Sequence, residues 1–244
     1  MDVDLVEGPG AAEAVSQVAI AHALLDRVAA GRHPVLRSYR PERTVAFGRR
    51  DTFLPGFADA VSAARRHRFA PVIRGAGGRA AAYDEGCLIF DEVMPAGGSE
   101  IRERFATDAA RQADALRGLG VDAQVGPVPG EYCPGEFSVN ARGRVKLIGA
   151  AERIVKGAWL HSSVVVVESA TAIREVLIDV YAALGLDWDP DTTGAVAGEA
   201  PGITLDDARR AFLGMYAASY QLTPASLAPA DLERAGELLP RHRP

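Results

Sequence analysis

Cys133 and Lys146 are the scarcest reactive side chains in this sequence, since cysteine and lysine each occur only twice in 244 residues. They lie thirteen positions apart in the stretch EYCPGEFSVNARGRVKLIGAA. A thiolate is a nucleophile, and an ammonium nearby can polarise a carbonyl under attack. Together they would form a reactive thiol with a positioned amine. The plainer alternative is a half-buried loop cysteine near a surface lysine. Basic charge is otherwise carried by 25 arginines. Arginine replaces lysine as a surface charge but not as a compact, rotatable amine, so a retained lysine stands out. Pro134 and Gly135 would fix a tight turn presenting the thiol. Cys87, at the head of CLIFDEV, reads as a small buried hydrophobe.

A second cluster lies upstream, in VIRGAGGRAAAYDEG. Gly75, Gly77 and Gly78 follow an apolar strand and are flanked by Arg74 and Arg79. Such a loop can approach a ligand closely, and its N–H groups and guanidiniums would form an anion-binding nest. A surface turn with solvated arginines is the alternative. The spacing is neither GxGxxG nor a P-loop. His161, inside AWLHSSVVVV, reads equally as a core histidine or a catalytic one. No metal site is expected. Two cysteines without CxxC spacing cannot build a zinc centre, and DWDPD lacks the spacing of a calcium loop.

These groups need a frame to position them. Helical spacing marks AAEAVSQVAIAHALLDRVAAG, ADAVSAARRHRF, ATAIREVLIDVYAALGL and the long SEIRERFATDAARQADALRGLG, with Ser99 as N-cap and Gly118 or Gly120 at its end. PVLRSYR and TVAFGRR read as two strands around PER, APVIRG and CLIFDEV as further strands, and residues 137–155 as a hairpin turning at ARGR. Hairpins outnumber βαβ units, so the predicted class is α+β or mixed, not a doubly wound parallel sheet. The expected organisation is a catalytic domain over 1–187 and a helical appendage over 188–244. A net charge of −5 argues against general nucleic-acid binding. No apolar run or signal-peptide pattern is present, so a soluble cytoplasmic protein without membrane attachment is expected.

VIRGAGGRAAAYDEGCLIF, followed by GRVKLIGAAERIVKGAWLHSSVVVV, resembles the lipoate/biotin protein ligase and octanoyltransferase family. The resemblance spans roughly residues 10–190 and implies a largely antiparallel sheet flanked by helices, as in class II synthetase cores. It implies that Arg74, Gly77, Gly78, Arg79, Tyr83 and Asp84 line an acyl or acyl-adenylate pocket. Lys146 would contact the acyl carbonyl, Gly149 and Ala150 would give the chain room, and His161 would match the late-strand histidine. The chain departs from the family pattern at Arg79, Asp84 and Cys87. Cys133 falls where some octanoyltransferases carry their nucleophile. The implied activity is transfer of an octanoyl or lipoyl group through a Cys133 thioester, with no cofactor. Its donor would be acyl carrier protein or glycine cleavage H protein. The acceptor would be a lysine on a lipoyl domain of a 2-oxoacid dehydrogenase. The alternatives are an ATP- and Mg²⁺-dependent lipoate ligase and a non-catalytic subunit of the same fold. Arg65, Arg66 and Arg68 are candidates for docking an acidic carrier.

Overall fold

The structure, a computed structural model, describes residues 1–9, 13–97 and 100–244. Its strands are β1 (Asp2–Pro9), β2 (Val35–Arg40), β3 (Thr44–Phe47), β4 (Ala70–Ile73), β5 (Ala81–Tyr83), β6 (Cys87–Pro95), β7 (Ala123–Val125), β8 (Val139–Ala141), β9 (Val145–Val155), β10 (Ala158–Val166) and β11 (Gln221–Ala225). Its helices are α1 (Ala14–Ala29), α2 (Phe57–Arg66), α3 (Ile101–Gly118), α4 (Thr171–Leu184), α5 (Val196–Glu199), α6 (Leu205–Ala217) and α7 (Pro229–His242).

Eight strands form one sheet in the order β11-β1-β2-β6-β10-β9-β8-β7, and β4-β3-β5 form a small second sheet. In the large sheet only the β11–β1 and β1–β2 pairs are parallel. The class is therefore α+β with a mixed, largely antiparallel sheet, as the hairpin pattern and the family resemblance together imply. β2 and β3 are consecutive but part company: β2 joins the large sheet and β3 the small one. The short PER turn thus bridges two layers instead of closing a hairpin.

Side-chain alternation along the strands divides the core. Leu88, Phe90, Val165 and Ile148 pack on one face of the large sheet with Ala113 and Leu116 of α3 and Phe212 and Tyr216 of α6. On the opposite face Val35, Val93 and Leu160 meet Ile20, Leu24 and Val28 of α1 and Leu238 of α7. The small sheet, α2 and α4 close over Tyr39 and Ile89 on that same side. Burial of side chains this size is worth about 1.5–3 kcal/mol each, which holds the layers rigid around whatever lies between them.

Helix ends follow local chemistry. α1 stops where Gly31 adopts φ +98° and Arg32 N–H returns to Arg27 O at 2.9 Å. α3 ends before Gly120, which takes φ +88°. Ser99, the expected N-cap of α3, lies outside the described residues. The stretch from 188 onward, expected as a helical appendage, contributes β11 to the sheet edge, α6 to one face and α7 to the other. Pro224 within β11 suits an edge strand, where one row of N–H groups has no ladder partner.

Candidate functional site

A cavity of about 600 Å³ lies between the large sheet, α1 and the glycine loop after β4. Arg74, Gly77, Gly78, Tyr83, Cys133, Lys146, Gly149 and Ala150 all line it. The topology brings them together from β4, β5, β9 and the loop before β8, over separations the sequence could not measure.

The glycine loop is wound around Arg74. Its Nε and Nη2 donate to Gly77 O at 3.0 and 2.9 Å, Nη1 to Ala46 O at 2.7 Å, and Nη2 also to Arg79 O at 2.6 Å. Gly78 takes φ +97°, and a Cβ there would stand 2.8 Å from Cys133 Sγ and 2.6 Å from Arg74 Nη2. Gly78 is therefore required twice, for its backbone angle and for the approach of the sulfur. Beneath the loop, a Cβ on Gly48 would meet Gly78 O at 1.9 Å. Asp51, fully buried, accepts from Gly48 N–H at 2.9 Å and from Arg79 Nη1 at 3.2 Å. The GRRD that ends TVAFGRRD thus props up the loop. Arg79 turns its side chain to Asp51 and presents its backbone N–H to the cavity side.

Cys133 is held in strain. Its φ is +42°, uncommon for a residue with a side chain. Its N–H donates to Tyr181 Oη at 2.7 Å, and that hydroxyl donates to Ala80 O at 2.9 Å. One tyrosine thereby ties the cysteine loop to the glycine loop. Sγ receives Arg79 N–H at 3.3 Å and Arg74 Nη2 at 3.5 Å. Two donors of the glycine loop thus point at one sulfur.

Lys146 is 3% exposed. Its Nζ donates to Cys133 O at 2.9 Å and Tyr132 O at 3.2 Å, and Glu131 Oε2 lies 3.5 Å away. The ammonium also sits 4.9 Å from the centre of the Tyr132 ring. Burial lowers the Lys146 pKa against the opposing pull of Glu131. A Cβ on Gly149 would come within 3.0 Å of Lys146 Cε, so the glycine leaves the lysine its path. Glu131 is positioned by Gly135 N–H at 2.9 Å and Ser138 Oγ at 2.8 Å, both donating to Oε1.

Three expected residues are not on the cavity wall: Arg79, whose side chain pairs with Asp51, His161 and Asp84. His161 does not line the cavity. Leu160, Ser162 and Val164 face it, so strand alternation turns His161 to the other side. There His161 Nε2 lies 3.0 Å from Asp108 Oδ2 and Nδ1 3.8 Å from Glu152 Oε2. Burial opposes the charged ring, but the Asp108 and Glu152 carboxylates prevail and raise its pKa to about 9. Asp84 is also outside the lining. Its Oδ1 accepts from Gly86 N–H at 3.0 Å, closing the turn into β6, and burial raises its pKa. Cys87 is fully buried and its thiol is pushed up by desolvation, as a packing residue should be. Arg65, Arg66 and Arg68 are exposed at the end of α2 and are not part of the cavity wall. Among the described residues no group of three His, Cys, Asp or Glu side chains could hold a metal ion.

Sequence reasoning missed Tyr181, Asp51 and Glu131. Asp51 and Glu131 carried a signal, the first closing a Gly-Arg-Arg-Asp turn and the second two residues from the cysteine. Tyr181 carried none, because helix α4 delivers it from a distant part of the chain.

Comparison with known proteins gives the geometry its relatives. Residues 13–207 match the family described as lipoyl protein ligase A/B catalytic domain. An octanoyl-[GcvH]:protein N-octanoyltransferase of Geobacillus kaustophilus is 31% identical, over 71% of this chain and 62% of that protein's length. The protein of that name from Exiguobacterium sibiricum is 28% identical over 84% and 80%. In fold, the bi-partite lipoate protein ligase of Thermoplasma acidophilum superposes with a TM-score of 0.76 at 22% identity, over 98% of this chain and 92% of that one. A lipoate-protein ligase A bound with ATP gives 0.77 at 22% identity, over 99% and 95%.

Proposed function

The chain belongs to the lipoyl protein ligase A/B catalytic domain family, a family of enzymes that transfer or ligate acyl groups, and on that premise we propose that it is a protein acyltransferase working through a Cys133 thioester. The observation that carries this reading is the placement of Sγ, strained at positive φ and aimed at by Arg79 N–H and Arg74. The names of the octanoyltransferase relatives support it.

In the first step the Cys133 sulfur attacks the acyl carbonyl of a carrier thioester. The bond from that carbonyl to the carrier sulfur breaks, and the carrier leaves as a thiol with the proton that Cys133 gave up. In the second step a lysine amine of the acceptor attacks, the carbonyl–Sγ bond breaks, and an amine proton returns to the sulfur. Thioester exchange is near thermoneutral and amide formation is downhill, so no nucleotide is consumed. The Lys146 ammonium and the N–H groups of the glycine loop stabilise the oxyanion that forms in each step. Donor and acceptor are an acyl carrier or glycine cleavage H protein and a lipoyl domain.

A second reading, an ATP-dependent lipoate ligase, is favoured by the fold neighbours, which are ligases. It needs cationic donors free for phosphate. Arg74 directs its donors to Ala46 O, Gly77 O and Arg79 O, and Arg79 pairs with Asp51, whereas Lys146 would serve either reading.

Intact-mass spectrometry decides between the two. Wild type incubated with octanoyl carrier protein should gain an octanoyl adduct that hydroxylamine removes, and Cys133→Ser should not give a hydroxylamine-labile one. Lipoyl-domain modification that needs ATP and free lipoate, and survives in Cys133→Ser, would establish the ligase instead.

A further inference from the structure

The sheet wall of the cavity is a ladder whose rungs follow from strand register. One rung runs Gly149–Val164–Ile89–Tyr39, and the next Ala151–Ser162–Asp91–Arg37. The first rung adjoins Lys146 and is apolar up to the Tyr39 ring. The second is not. Ser162 Oγ donates to Asp91 Oδ1 at 2.6 Å, and Arg37 Nη1 stands 3.3 Å from Asp91 Oδ2. The Arg37 and Asp91 side chains are only 4% and 1% exposed, yet Asp91 and Ser162 both line the cavity. A buried ion pair is a poor device for stability, because desolvation offsets its attraction. The thioester chemistry does not use it.

We propose that Asp91, held by Arg37 and Ser162, selects acyl chains that carry a hydrogen-bond donor, a hydroxyl or a thiol, near the sixth carbon. This rests on reading the cavity as the acyl pocket. Burial raises the Asp91 pKa against the opposing pull of Arg37 and Ser162, and in its Arg37-paired, ionised form the carboxylate offers about four acceptor sites. Arg37 and Ser162 take two of them. A ligand O–H or S–H satisfies what remains, whereas a methylene leaves it desolvated. The position follows from the register. Two residues along a strand span about 6.6–6.8 Å. An extended chain of ~1.5 Å bonds advances roughly 1.25 Å per carbon. The polar rung therefore lies about five carbons beyond a carbonyl held at the Lys146 rung.

Calorimetric titration with octanoate, 6-hydroxyoctanoate and dihydrolipoate tests this without any turnover. For wild type, at least one of the two donor-bearing acids should bind as tightly as octanoate or tighter, although an apolar wall would weaken a hydroxylated chain about tenfold or more. Which of the two binds better identifies hydroxyl or thiol as the preferred donor. The paired change Arg37→Met with Asp91→Leu removes both charges together and should reverse the order, costing the preferred donor-bearing acid about tenfold relative to octanoate. Ser162→Ala, a smaller change, should lower the same ratio about threefold and guards against misfolding of the double variant. Octanoate binding tenfold tighter than both other acids to wild type would overturn the proposal, as would ratios unmoved in both variants. Failure of all three acids to bind would sink it too, since the cavity would not be an acyl pocket. Absence of a Cys133 adduct refutes the thioester reading while leaving these affinities to stand, so the two failures are distinguishable.

Discussion

Replacing Lys146 by methionine should damage the protein in two separable ways. The side chain is 3% exposed and its ammonium holds Tyr132 O, Cys133 O and the neighbourhood of Glu131. Glu131 Oε2 is buried and accepts no hydrogen bond, so the ammonium 3.5 Å away is its sole compensation among the described residues. Stranding a buried carboxylate costs about 3–5 kcal/mol. At about 2–4 °C per kcal/mol for a chain of this size, Tm should fall by roughly 6–20 °C. Adding Glu131→Gln to Lys146→Met removes the stranded charge and should recover about half of the loss, while Glu131 Oε1 partners Gly135 and Ser138 keep an acceptor. Adduct formation should not recover, because the amine is absent from both. Differential scanning calorimetry and intact-mass kinetics on the single and double variants read the two effects separately. A single variant with Tm within about 2 °C of wild type would refute the structural half. One that acylates Cys133 at the wild-type rate would refute the chemical half.

Other expectations are simpler to check. Gly78→Ala places a Cβ 2.8 Å from Cys133 Sγ at φ +97°, so it should cost about 1–2 kcal/mol in urea unfolding and slow adduct formation about tenfold. An unaffected adduct rate would show that the sulfur does not need this approach. Tyr181→Phe leaves Cys133 N–H without its acceptor and unties it from Ala80, so it should cost about 1–3 kcal/mol and slow acylation while acyl-acid affinity holds. Loss of affinity with an unchanged rate would contradict that positioning role. Folding raises His161 from 6.5 to about 9, so the stability it adds is complete below pH 6.5 and is lost as pH rises through 9. That contribution is roughly 3 kcal/mol. Lys146, whose pKa is lowered, contributes with the opposite slope, so the difference between wild type and His161→Gln isolates the histidine. If the two proteins show parallel stability–pH curves across that window, the buried histidine is not charged.

Much of this site was legible because scarce residue types marked it. Cys133 and Lys146 stood out by rarity, and the arginine-flanked glycines by density. His161 follows the alternation of its strand: with Leu160 facing the pocket, the next residue turns away from it. Asp84 was carried over from a motif, where its turn to Gly86 made it a local brace. The hairpin 139–155 was readable from its turn, since Arg142 and Gly143 both adopt positive φ there. The strands β1, β5 and β11 were not. β5 is only three residues long, β11 carries a proline, and β1 buries Val3 and Val6 out of step with simple alternation. Their pairing partners supply what their own sequence lacks.

The seam between β1 and β11 has a bearing on how the protein is made. β1 pairs with β11, and α1 packs on α7. His22, on the cavity wall, meets His242 at 3.0 Å across 220 positions, and His242 Nδ1 reaches Ile73 O, next to Arg74, at 2.7 Å. During synthesis, β1, the glycine loop and Cys133 all leave the ribosome before β11 and α7 do. Until those arrive, β1 lacks one of its two ladder partners and Ile73 O lacks its contact with His242. The β1–β11 ladder and the His22–His242 contact are thus among the last long-range closures the emerging chain can make.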